Sequence, residues 1–129
     1  MTIFKNVRRP TIEVEHSGQK FTLSMISALD RAQVGRYWDE YFAATKGKED
    51  TQESLSAYRK AETDSTVFLL VKSLMPELSG VDEEELTAEV RDGFPAGLFD
   101  YLVDEAKKLS RLVTEEEKKE EKKEDESPK

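Results

Sequence analysis

The sequence predicts an α+β protein, mainly α, in which an N-terminal β-hairpin packs on a bundle of about four helices. Three observations carry this. Two short runs before residue 24 alternate apolar and polar residues, the period of a strand with one buried face. From about Ser27 the apolar residues recur at steps of three and four, the period of a helix. After Val113 no aliphatic or aromatic residue remains, so the charged end has nothing to bury. The chain therefore divides into a basic arm at 1–10, a single folded domain at 11–113 and a disordered Glu/Lys-rich tail at 114–129.

The hairpin is expected over 11–23. Ile12 and Val14 share one face of the first run, and Phe21 and Leu23 continue it after a loop containing Gly18, which supplies a positive φ. Two strands alone are marginal in water, so this face must pack on the helices. The first helix, about 28–44, is capped by Ser27, has Asp30 in its first turn and ends at Lys46-Gly47-Lys48. Val34, Trp38, Tyr41 and Phe42 form its apolar face, with Tyr37 beside them; Gly35 inside it is either a close approach or a tolerated weakness.

Asp50 or Thr51 caps a second helix, about 51–75, that Pro76 stops. Thr63 to Thr66 are poor helix formers and mark a candidate kink. The segment Val67 to Val71 is apolar all round, which predicts that Phe68, Leu70 and Val71 are largely buried. A short helix at 83–91 opens on Asp82 to Glu85, four carboxylates at the positive end of its dipole. The last helix, about 96–113, follows the turn at Gly93 and Pro95, and Glu115 paired with Lys119 could prolong it.

The chemistry-bearing residues are few. The chain has no cysteine and one histidine, His16, which sits at the hairpin turn without a partner to orient it. No phosphate-binding glycine loop occurs. The acidic run at 82–85 lacks the alternation of a calcium loop. No catalytic, cofactor or metal residue is assigned, and the chain is read as a binding protein rather than an enzyme. With a net charge of −8 it repels phosphate backbones, although Arg8 and Arg9 leave a small regulator acting through the basic arm as an alternative. No apolar run is long enough to span a bilayer, and a cytoplasmic location is expected. The aromatic residues are the strongest signal. Tyr37, Tyr41, Phe99 and Tyr101 are the candidate partner-binding residues, with Trp38 and Phe42 assigned to the core.

This layout resembles the tail assembly chaperones of long-tailed bacteriophages. The resemblance rests on the early hairpin from Thr11 to Leu23, the aromatic first helix, the stretch Gly93-Phe94-Pro95-Ala96-Gly97-Leu98-Phe99-Asp100-Tyr101-Leu102 leading into an amphipathic helix, and the charged C-terminus. It covers about residues 10 to 113. It implies a non-enzymatic chaperone in the host cytoplasm that binds the tape measure protein, with the tail tube protein and a second copy of the chain as further candidate partners. It also implies, for many members, a longer frameshifted form, for which the Lys-Lys pairs at 118–119 and 122–123 are a weak signal. A structural or connector component of a phage particle is the alternative.

Overall fold

The computed structural model describes residues 8–112. The expectations for the tail at 114–129 and for most of the basic arm lie outside them; Arg8 and Arg9 are described and exposed. Strands β1 (Thr11–His16) and β2 (Gln19–Ser24) form an antiparallel hairpin with Val14 opposite Phe21 and Ile12 opposite Leu23. The turn is only two residues, Ser17 at φ 52° and Gly18 at φ 81°. Positive φ at both is the type I′ geometry whose twist matches that of paired strands. Met25 N–H donates to Pro10 O at 2.8 Å and extends the ladder by one rung.

Helices α1 (Ala28–Thr45) and α2 (Gln52–Leu74) pack side by side. Ser27 Oγ accepts from Asp30 N–H, and Thr51 Oγ1 from Ser54 N–H, so each start satisfies a donor that has no partner within its helix. The kink expected at Thr63–Thr66 is absent: α2 is continuous. Ser65 Oγ donates to Glu62 O, and Thr66 Oγ1 to Glu62 O at 2.7 Å, so these hydroxyls bond back within the helix rather than break it. Nothing lies within contact distance of a Cβ placed on Gly35, so no close approach requires it.

A 3-10 turn, Met75–Glu77, ends α2. Helix α3 is shorter than expected, Glu83–Ala88, capped by Asp82 Oδ2 accepting from Glu85 N–H. A π-helical turn, Glu89–Gly93, continues it, closed by Phe94 N–H donating to Glu89 O. This wider turn buries Val90 and leaves the Phe94 ring 6.3 Å from that of Phe21. Helix α4, Ala96–Leu109, ends before the expected 113. Arg111 at φ 59° turns the chain: its N–H donates to Lys108 O, and Leu112 N–H to Lys107 O at 2.8 Å. This is a Schellman closure made without the usual glycine.

The core joins Leu23 and Ile26 to Val67, Leu69, Leu70, Val71 and Leu74 of α2, Leu86 and Val90 of the α3 segment, and Leu102, Val103 and Ala106 of α4. Ile12, Val14 and Phe21 pack against it, as the alternation requires. Phe68 is half-buried rather than in the core. Its ring meets Tyr37 at 5.9 Å, and Lys72 Nζ lies 5.6 Å from its centroid. An apolar run fixes the environment of a helix only on the sides that receive neighbours, and here Phe68 faces the margin.

Two buried serines join elements distant in sequence. Ser73 Oγ donates to Ser24 O at 2.8 Å, and Ser110 Oγ accepts from Ile26 N–H at 3.2 Å. Lys72 forms an ion pair with Glu83, joining α2 to α3. The hydrogen bond to Glu83 raises the Lys72 pKa above its ordinary 10.5, with the charges of Glu83 and Asp30 adding and burial opposing. A raised folded-state pKa stabilises the fold fully below pH 10.5, and that contribution is lost as pH rises through the folded value. The stability difference between wild type and Lys72→Met, measured by urea denaturation from pH 8 to 11, should therefore shrink at the alkaline end.

Candidate partner-binding surface

Helix α1 packs chiefly on α2, and its sole fully buried residue is Thr45. Most of its circumference is therefore solvated, and its aromatic residues have chiefly α2 to meet. Short-loop antiparallel helices place residues equally far from the loop at the same height. Trp38 and Tyr41 thus meet Tyr58. The Trp38 and Tyr58 ring centroids lie 5.4 Å apart, Tyr41 and Tyr58 5.7 Å, Trp38 and Tyr41 5.9 Å, and Tyr41 and Phe42 5.1 Å. These tilted and edge-on arrangements suit the quadrupoles of aromatic rings.

This cluster stands outside the hydrophobic core. Phe42 is 64% exposed, Leu55 49% and Tyr58 40%. The assignment of Phe42 to the core is therefore corrected, and with it that of Trp38, which is half-buried against Tyr41 and Tyr58. The helical period showed that these residues share a side of α1, but that side meets the first half of α2, which is itself largely exposed. Leu55 and Tyr58 lie on the α2 face of this pair, and their comparable spacing from the Lys46–Thr51 loop is the signal that pairs them with the α1 aromatics.

The four sequence-predicted residues do not converge. Tyr41 is central to the cluster. Tyr37 lies on the side of α1 that faces Phe68, although with Tyr41 it lines a shallow depression floored by Ala57 and Ala61. Phe99 and Tyr101, both half-buried on α4, pack against the core. Phe99 lines a separate depression with Thr63, Thr66 and Val103. Tyr101 is turned to the hairpin, its ring 5.4 Å from that of His16.

Among the described residues no three His, Asp or Glu side chains come together as a metal site, and no helix is long and apolar enough to cross a membrane. The arrangement offers apolar, aromatic contact area on a helical hairpin. No curated protein and no solved structure matches the chain. Among protein families, residues 10–127 match the one described as bacteriophage lambda tail assembly chaperone, TAC, protein G. That match spans the hairpin, all four helices and most of the charged C-terminus, and the chain belongs to this family of phage tail assembly chaperones.

Proposed function

We propose that the protein binds apolar helical segments of the tape measure protein in the host cytoplasm, keeping that partner soluble while the tail tube assembles around it, and that it performs no covalent chemistry. The observation that carries this reading is the connected cluster of half-buried Trp38 and Tyr41 with exposed Phe42 and Tyr58 on the α1–α2 hairpin, outside the core. Aromatic anchors supply much of the energy of protein contacts, and the net charge of −8 keeps a protein with such a surface soluble. Tyr37 extends the contact area along α1, and Phe99 offers a second point on α4. Tyr101 supports the hairpin at His16 and contributes the exposed part of its ring.

The test is co-expression with the tape measure protein. Wild type should hold it in the soluble fraction, and the Tyr41→Ala, Phe42→Ala double variant should not, while its circular dichroism and melting temperature stay close to wild type because both side chains lie outside the core. Raising salt moderately should weaken the contact little, unlike an electrostatic one. Tape measure solubility indifferent to the protein, together with its recovery in finished particles, would instead assign it a structural role.

A further inference from the structure

The far end of α2 carries a second exposed apolar surface, separate from the aromatic cluster. Leu78 and Val81, between the 3-10 turn and α3, are 42% and 37% exposed. They belong to a depression of about 410 Å³ along residues 19–22 of β2, whose apolar lining is completed by Phe21, Leu74, Leu86 and Phe94. No residue of β1 lines it, so it lies on the side of β2 that β1 leaves open.

The hairpin sets which backbone groups face that side. Across a two-residue turn the flanking pair, His16 and Gln19, exchanges both ladder hydrogen bonds, and bonded pairs then alternate. Val14 with Phe21 and Ile12 with Leu23 are thus bonded pairs, and the bond from Met25 N–H to Pro10 O continues the same series. The N–H and C=O of Lys20, Thr22 and Ser24 therefore point away from β1. Ser24 O accepts from Ser73 Oγ, whereas the outward groups of Lys20 and Thr22 have no hydrogen-bond partner among the described residues. Such a row is a template for another strand. The charge beside it is negative. Glu77 and Glu89 line the depression and neither forms an ion pair among the described residues, while Lys20 Nζ is drawn to Glu13 of β1 at 3.6 Å.

We propose that the free edge of β2 takes an extended segment of a partner protein in which apolar side chains alternate with polar ones and include Lys or Arg. The backbone of Lys20 and Thr22 supplies the hydrogen bonds, Leu78, Val81 and Phe94 receive the apolar side chains, and Glu77 and Glu89 select positive charge. A partner helix cannot use this edge, because its own backbone groups are already bonded within it. Tyr58 and Leu74 are 16 residues apart on one helix, about 24 Å at 1.5 Å per residue, so the aromatic surface and this one can be occupied together. The inference goes beyond the proposed tape measure contact and does not require it.

The probe is the peptide acetyl-Lys-Val-Thr-Val-Lys-amide, added to the isotope-labelled full chain and followed by amide hydrogen exchange. At roughly ten times its Kd, the peptide should slow exchange of the Lys20 and Thr22 amides about tenfold, and leave those of Phe42 and Tyr58 unchanged. The fully N-methylated peptide keeps the side chains but has no backbone donor, and should not bind. Glu77→Lys with Glu89→Lys should weaken binding about fivefold at low salt, the effect of two partly exposed ion pairs. A peptide with Glu in place of both lysines should bind that variant better than wild type. Both substitutions are at exposed positions, so the fold should persist; if it does not, the two peptides on wild type decide alone. Absence of binding overturns the proposal, as does equal binding of the N-methylated peptide or protection confined to Phe42 and Tyr58. Protection of Lys20 and Thr22 that rises with protein concentration in the absence of peptide also overturns it, and assigns the edge to a second copy of the chain. Tape measure solubility is a separate readout, so either reading can fail without the other.

Discussion

Leu70→Ala should lower stability by about 3–5 kcal/mol, a large part of the roughly 5–15 kcal/mol that holds a domain of this size together. Leu70 is fully buried near the C-terminal end of α2, in the core that this helix shares with the hairpin, the α3 segment and α4. Alanine there removes three carbons and leaves a cavity that cannot collapse, because its walls belong to several different elements. Phe68→Ala, two residues away, should cost clearly less, about 1–2 kcal/mol. A half-exposed ring resting on Tyr37 and Lys72 leaves a hole that water fills. Urea denaturation of both variants gives the comparison directly: a shift in midpoint at constant slope for each, larger for Leu70. Equal losses would place Phe68 in the core after all.

Ser110→Ala should cost about 1–3 kcal/mol, although it deletes one oxygen atom, because the Ile26 N–H is left buried with no acceptor. Ser24→Ala is the control. The Ser24 hydroxyl is buried without a hydrogen-bond partner among the described residues, so its removal should change stability by no more than about 0.5 kcal/mol or raise it slightly. The same denaturation measurement checks both. Similar effects at the two positions would mean that the 3.2 Å contact between Ile26 and Ser110 contributes no net stability.

The cap at Ser27, that at Thr51 as one of two candidates, the acidic start of α3 and the alternation that turns Ile12, Val14, Phe21 and Leu23 inward were legible in the sequence. Each is local chemistry: a side chain bonding three residues on, or a repeat matching an element's own period. What was not legible depends on contacts between elements or on bonds that the residue type alone does not disclose. Ser65 and Thr66 look like helix breakers until their hydroxyls are seen to return to Glu62. Arg111 gives no hint of a left-handed conformation, because glycine is the usual signal and Leu112 is what holds the turn in place. The π turn at Glu89–Gly93 has no residue signature and is set by how Val90 and Phe94 reach the core.

The candidate surface divides along the same line. Aromatic side chains on one side of α1 could be read directly, and of the four candidates so read Tyr41 lies in the exposed-edge cluster. Whether that side met a core or solvent depended on α1 having a single neighbour, which no period encodes. Phe42, Leu55 and Tyr58 were therefore recovered only when the pairing of α1 with α2 was known.

The bond from Ile26 to Ser110 also sets an order of events as the chain folds. It spans 84 positions, so this joint between the end of the hairpin and the end of α4 cannot close until the last helix exists. The α1–α2 pair needs only a short loop to close and can form early, whereas joining residues so far apart carries the larger entropic cost and comes late. During synthesis the aromatic helical pair is thus available before the rest of the body has closed. A nascent chaperone thus displays its aromatic surface before it closes the joint between hairpin and last helix, so its own assembly passes through the kind of exposed helical state that it is proposed to restrain in its partner.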